Sequence, residues 1–185
     1  MASIIWPIDP NDPVKESMVL PAWYALYTRS HCERLVDDHL KAWGFHTFLP
    51  EVEVWSRRAG IRHLISVPLF PGYLFLHHAM DKQSYLTVRK TRGLVIIPGE
   101  RWDHLAVIPD EEIEVITRVM RSGIPILSHP YLQEGTRIRI VAGPLAGVEG
   151  ILVERRRQKG LVVLSIEILQ RSIAVEIKET LVNAI

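Results

Sequence analysis

The side chains best suited to covalent or metal chemistry in this chain are few and scattered. Cys32 is the one cysteine. It follows His31 at the expected start of a helix, a setting that can lower a thiol pKa, but helical spacing also puts it on the apolar face, where a thiol is an inert small hydrophobe. A single cysteine allows no internal disulfide and no Cys-x-x-Cys pair for zinc or redox work. His77 and His78 are adjacent in an extended segment, so they point to opposite faces and do not ligate one metal together. Gly143, Gly147 and Gly150 are not followed by a Lys-Ser or Lys-Thr pair and follow no buried strand-to-helix turn, so neither a P-loop nor a dinucleotide site is supported. No cofactor, metal or catalytic residue is expected, and the chain reads as a binding protein rather than an enzyme.

What remains is cationic and aromatic. Arg57, Arg58 and Arg62 crowd one connection and Arg155-Arg156-Arg157 with Lys159 another, as solvated hairpin tips or as nucleic-acid contacts. The 185 residues carry 22 basic and 21 acidic side chains, a net charge of +1 that excludes a strongly basic, indiscriminate nucleic-acid binder. Charge is distributed by segment: net −2 over residues 1 to 22, +3 over 23 to 104, −2 over 105 to 133 and +2 over 134 to 185. With 48% hydrophobic residues the chain can fill a real core. The longest apolar stretch, residues 64 to 76, contains Pro68 and Pro71 and is too short to span a bilayer, and no leader pattern begins at Met1. A cytoplasmic protein without membrane contact is expected.

The elements that must position these groups follow from periodicity. Residues 1 to 22, with Pro7, Pro10, Pro13 and Pro21, read as a flexible extension. From Trp23 to Thr28 the content is that of a half-buried strand, with Ser30 as a cap for a helix over residues 31 to 43 that Gly44 stops. Cys32, Val36, His39 or Leu40, and Trp43 form its inner face, and Glu33, Arg34, Asp37, Asp38 and Lys41 the outer. Two strands, residues 45 to 55 and 64 to 77, make a long hairpin with a cationic tip. Asp81 caps a second helix ending near Thr91, a short strand follows at Leu94, and Pro109 opens a third helix with Asp110, Glu111 and Glu112 at its positive end. The order matches a split βαβ plan, an antiparallel sheet with helices on one face. Residues 123 to 133 are rich in breakers and read as a linker. Beyond them the period changes to two, with Ile138 and Ile140 alternating with Arg137 and Arg139 and Ile173, Val175 and Ile177 alternating with Ala174 and Glu176, so residues 134 to 185 read as a small β-barrel. The fold class is α+β, with an RNP-like antiparallel sheet and helices over residues 23 to 122 followed by that barrel.

Two segments carry a family resemblance. Pro68-Leu69-Phe70-Pro71-Gly72-Tyr73-Leu74-Phe75-Leu76, preceded by Trp23-Tyr24-Ala25-Leu26-Tyr27, resembles the NusG N-terminal (NGN) domain. The run from Glu134 to Gly150, with Ala142-Gly143-Pro144-Leu145-Ala146-Gly147, looks like a KOW motif. In this order and spacing the chain resembles the NusG family of transcription elongation factors. The aromatic opening, the Leu-Phe-Pro core and Thr91-Arg92-Gly93 are most similar to specialised antiterminator paralogs of the RfaH/UpxY type.

The resemblance implies an operon-specific factor that binds the clamp helices of the largest RNA polymerase subunit and suppresses pausing and termination. Tyr27, Phe70, Pro71, Tyr73 and Phe75 would line the hydrophobic pocket for those helices, and Ser84 keeps a hydroxyl where the family contacts the second large subunit. Alternation along one strand sends Phe70 with Leu74 to one face and Tyr73 with Phe75 to the other. By matching, Arg29, His39, Thr91 and Arg92 would read the non-template DNA strand. Leu145, Ile168 and Leu169 would bind the small-subunit ribosomal protein NusE, favoured here, or Rho. A monomer is expected, and β-branched runs favour a permanent barrel over a helical hairpin in the second domain. The alternatives are a housekeeping NusG-type factor and an RNA-binding ribosomal or RNA-processing KOW module.

Overall fold

The computed structural model describes residues 20–58, 60–129, 135–156, 159–166, 169 and 171–185. Most of the expected N-terminal extension, Arg157 and Ile168 lie outside the described residues.

The chain runs through β1 (Ala22–Thr28), α1 (Glu33–Ala42), β2 (His46–Phe48), the hairpin β3 (Glu51–Arg58) and β4 (Ile61–Pro68), β5 (Tyr73–His78), α2 (Lys82–Arg89), β6 (Leu94–Ile96), the small hairpin β7 (Gly99–Arg101) and β8 (His104–Leu105), β9 (Val107–Ile108) and α3 (Asp110–Arg121). Then come β10 (Ile126–His129), β11 (Thr136–Ile140), β12 (Glu149–Arg156), β13 (Lys159–Ile166), β14 (Arg171–Lys178) and β15 (Val182–Ala184). Strands β2, β5, β1 and β6 form one antiparallel sheet in that order, and β9 adds to β1.

Alternation in β1 and β5 gives this sheet two apolar faces. Tyr24, Leu26, Leu74 and Leu76 pack with Val36 and Leu40 of α1 and Val88 of α2. Ala25 and Phe75 face the other way, into one apolar cluster with Leu69, Phe70, Ile108 and with Ile113, Ile116 and Val119 of α3. The helices therefore occupy both faces rather than one. A sheet whose central strands are apolar on both sides needs two covering layers.

The sequence outlines are refined in several places. Residues 45 to 55 divide into β2 and β3, the hairpin strands run on to Arg58 and Ile61 so that Arg57, Arg58 and Arg62 lie in strands and not in the connection, and β7, β8 and β9 occupy a stretch where no element was expected. The long segment expected as a single strand over residues 64 to 77 breaks at residues 69 to 72, where Gly72 has φ +86° and the Tyr73 N–H donates to the Phe70 carbonyl at 3.0 Å. Alternation restarts after this turn, so Phe70 comes to the Phe75 face, its ring edge-on at 6.1 Å, and not to the Leu74 face. Helix α1 starts at Glu33 with Cys32 as its N-cap and no side-chain cap, so Ser30 does not cap it. Trp43 is 50% exposed, whereas Glu33 and Asp37, expected on the outer side, are buried.

The second half is a six-stranded antiparallel sheet in the order β10, β14, β13, β12, β11, β15. Residues 126 to 129, expected as part of the linker, pair with β14. Ile138 and Ile140 are buried and Arg137 and Arg139 exposed, as the period of two requires. Ile138, Ile140, Leu145, Val148, Val162, Leu169, Ile173, Val175 and Ile177 continue the cluster that holds Phe70, Phe75 and α3. No helix among the described residues is long and apolar enough to cross a membrane.

Candidate binding groove and its surroundings

The turn between β4 and β5 is built from both sides. Its Gly72 N–H donates to the Glu33 carboxylate at 2.7 Å, which gives the buried acid of α1 a partner. The Gly72 carbonyl accepts the Thr28 N–H at 2.8 Å and the Thr28 hydroxyl at 3.3 Å. A charged acceptor for a backbone N–H is among the stronger hydrogen bonds of a protein interior. These contacts fix Pro71 and Gly72 against the end of β1, where Tyr27 and Tyr73 stand opposite each other in register with rings 5.0 Å apart. Tyr27 is 40% exposed.

Beside these rings lies a groove of about 420 Å³ walled by Tyr27, Val67, Pro68, Pro71 and Gly72, with Glu33 at its floor and Arg171 of β14 at its rim. Two prolines, a tyrosine and a valine give the cleft an apolar wall, and Thr28, Ser30, His31, Glu33 and Arg171 line the rest, a mixed composition that suits a helix or an extended peptide.

The residues singled out in the sequence are placed as follows. The half-buried Tyr73 packs against the Tyr27 ring, and Tyr27 and Pro71 line the groove. Phe70 and Phe75 lie beneath it in the core, 2% and 0% exposed, so they support the face and do not present rings to a partner. Ser84 sits at the start of α2, its hydroxyl 2.9 Å from His78 Nε2. Burial pushes the His78 imidazole below its ordinary pKa, against the pull of Asp81. Asp81, the N-cap of α2, accepts the Ser84 backbone N–H at 2.6 Å, which holds its carboxyl below the usual range. Since that carboxylate bonds to the backbone of α2 and not to the imidazole, the Asp-His-Ser relay that would make Ser84 a nucleophile is not formed. His77 faces the other way, its ring 4.9 Å from Trp23. No group of three or more His, Cys, Asp or Glu among the described residues can hold a metal ion.

Arg29 and Arg92 are both exposed, and the Arg29 N–H donates to the Gly93 carbonyl at 2.8 Å, which brings the two arginines to one edge. His39 is half-buried and stacks on Trp43, centroids 6.4 Å apart. Thr91 departs from expectation. It is 3% exposed because it closes the turn after α2, donating to Val88 and accepting from Leu94, so it does not face a nucleic acid. Leu145 and Leu169 are likewise not exposed loop anchors, at 1% and 2% exposure. The Pro144 and Ala146 carbonyls on either side of Leu145 accept the Arg118 guanidinium of α3 at 3.1 and 2.6 Å, so this turn is docked on the helix. Sequence spacing gave no sign of Glu33 and Arg118 as anchoring residues, because both are ordinary helical surface types whose partners are 39 and 28 or fewer positions away.

Residues 21–117 match the family described as "Transcription termination factor nusG". The chain is 27% identical over 173 residues to the transcription termination/antitermination protein NusG of Thermus thermophilus, covering 84% of this chain and 94% of that one. It is 25% identical over 166 residues to the protein of the same name from Pseudomonas aeruginosa, again over 84% of this chain and 94% of that one. The fold is similar to a solved structure described as "Domain interaction in Thermotoga maritima NusG", with a TM-score of 0.58 and 21% identity over 89% of this chain and 97% of that one.

Proposed function

Because the chain belongs to the NusG family, we propose that it is a transcription elongation and antitermination factor that grips RNA polymerase at the groove beside Tyr27, Pro71 and Tyr73. The observation that carries this reading is the groove itself: a cleft lined by the exposed Tyr27 ring, Val67, Pro68 and Pro71 beside an anchored turn, with the half-buried Tyr73 packed against Tyr27. Aromatic anchors of this kind dominate helix-docking interfaces, each able to contribute ~2 kcal/mol or more. The occupant is the helical clamp of the largest polymerase subunit, with Phe70 and Phe75 supporting the face from below. Ser84 serves a second contact on the polymerase. A factor that binds one polymerase conformation better than another suppresses pausing by population shift, without chemistry of its own.

The role is operon-specific, and the factor acts as a monomer in the cytoplasm. Arg29 and Arg92, adjacent at the edge fixed by Gly93, together with His39 read the non-template strand. Stacking and hydrogen bonding by arginine suit bases already unpaired by the polymerase. A contact of the second sheet with NusE or Rho through Leu145 and Leu169 requires both to leave the shared apolar cluster.

Replacing Tyr27 and Tyr73 together by Ala tests the groove. Tyr27 is exposed and Tyr73 half-buried, so the double variant is expected to keep its melting transition and lose co-purification with RNA polymerase. A folded double variant that still co-purifies overturns the reading.

A further inference from the structure

We propose that the groove continues along one face of the β3–β4 hairpin, so that a single amphipathic helix of the polymerase lies across Tyr27, Pro71 and Val67 and then on an aliphatic ladder of Val54, Ile65 and Ile61. This inference rests on the groove reading above and adds to it the outer part of the docking surface.

Among the described residues the hairpin pairs only with itself, from Glu51 opposite Pro68 to Arg58 opposite Ile61. Its base is fastened to the domain, where Arg34 of α1 bonds Glu51 at 2.6 Å and the Ser66 carbonyl at 3.0 Å. At a period of two the strands present two unlike faces. One carries Glu51, Glu53, Trp55 and Arg57 opposite Pro68, Ser66, Leu64 and Arg62. The other carries the cross-strand pairs Val52–Val67, Val54–Ile65 and Ser56–His63, with Ile61 beyond, and none of these positions is acidic. The base of this second face turns toward the groove: Val67 is one of the groove walls, and Val52 packs on the cluster that holds Phe70 and Phe75. Further out the cover ends, and Val54 is 38% exposed, Ile65 41% and Ile61 62%.

Continuity joins this ladder to the groove. Val67 belongs to both, and Ile65, His63 and Ile61 follow it at steps of about 7 Å, a track of about 20 Å from the groove into solvent. A helix of about 13 residues covers that length, with its i, i+3, i+4 and i+7 positions on the aliphatic row. Size requires the same extension. A specific interface covers about 800 Å² on each partner, whereas a cleft of about 420 Å³ admits only a few side chains, so a helix seated in it projects past its end. The ribbon gains in return, since two strands alone are marginal in water until a second layer covers a face. Charge describes the occupant further. The acid of the groove, Glu33, is buried and bonded to Gly72, while the exposed Arg171 and His63 stand near the two ends of the track. The helix that fits carries an aliphatic stripe flanked by carboxylates.

The test uses the full chain and purified RNA polymerase free of nucleic acid, so that protein contacts alone are read. Val54→Thr with Ile65→Thr keeps β-branched side chains at exposed strand positions and leaves the melting temperature unchanged. This variant is expected to bind about tenfold more weakly, because two aliphatic groups lose their apolar contact. Trp55→Thr with Leu64→Thr, on the opposite face and equally exposed to solvent, stays within about twofold of the parent. Photo-crosslinking gives a readout independent of affinity. Benzoylphenylalanine in place of Ile65 is expected to link to the same polymerase subunit as benzoylphenylalanine in place of Tyr27, and in place of Leu64 to leave that subunit unlinked. If Tyr27→Ala with Tyr73→Ala abolishes binding while Val54→Thr with Ile65→Thr binds like the parent, the groove reading stands and the extension falls. Equal losses from the two faces, no crosslink from position 65, or a crosslink there to a second copy of this chain overturns the extension as well. A parent chain that does not bind the polymerase overturns both.

Discussion

Gly72 joins the stability of the fold to the shape of the groove, so replacing it separates the two. Its φ of +86° is in the left-handed region, and a Cβ there would lie 3.1 Å from Tyr27 Cε2 and 3.6 Å from Cδ2. Alanine in that conformation costs about 1–2 kcal/mol, offset by about 0.4–1 kcal/mol from the stiffer unfolded chain. Relief of the close contact requires the Tyr27 ring to move by a few tenths of an ångström, a further cost of a few tenths of a kcal/mol by the off-rotamer scale. The net loss is about 1 kcal/mol, or about 2–4 °C in melting temperature for a chain of this size. Gly72→Asn is the matched control, because asparagine tolerates the left-handed region yet still brings a Cβ toward Tyr27. Gly72→Ala is therefore expected to melt earlier than Gly72→Asn, while both displace Tyr27 and weaken polymerase co-purification alike. The measurements are thermal denaturation followed by circular dichroism, and pull-down with purified polymerase. An alanine variant as stable as the parent and as competent in binding would refute the coupling of this turn to the groove.

Two further predictions follow from anchoring contacts. Asp81→Ala removes the cap of α2 and lowers the melting temperature at neutral pH. Since the folded state holds this carboxyl below its ordinary pKa, the stabilisation is complete above about pH 4 and lost as pH falls through the lower folded value, so the gap between parent and variant closes in acid. Melts of both proteins across that range check it, and a gap that persists or widens in acid contradicts the assignment. Arg118→Met keeps the apolar stem but deletes the donors to the Pro144 and Ala146 carbonyls. Hydrogen exchange is expected to quicken at Ala146, Gly147 and Val148, whose amides close the docked turn, and to stay slow in β1 and β5.

Most strands and helices over residues 22 to 121 were readable because each advertises itself locally, but the short β7, β8 and β9 were not, and the strand expected over residues 45 to 55 divides into β2 and β3. Val36 and Leu40 recur at helical spacing, Asp81 precedes a helix as a cap, and Pro109 opens one. The aromatic strand segments stood out for the same reason, and with them Tyr27, Pro71 and Tyr73. Burial was read less well wherever it depended on distant chain. Alternation carried through Pro71-Gly72 put Phe70 on the wrong face, since a single positive φ at Gly72 resets the register. Matching to the family placed Thr91, Leu145 and Leu169 at the surface, yet all three are buried, Thr91 in the turn that closes α2 and Leu145 in a turn docked on Arg118 of α3.

Local periodicity and turn chemistry, which depend on neighbours a few positions away, thus determined the elements, the hairpin with its cationic end and the family resemblance. Only the tertiary structure decided that Glu33, a helix residue of unremarkable type, holds Gly72 across 39 positions. It also decided that residues 126 to 129 join the second sheet, and that both halves of the chain share one apolar cluster. These are pairings between remote segments, and a hydrogen bond or contact that closes a long loop leaves no periodic trace in the residues between.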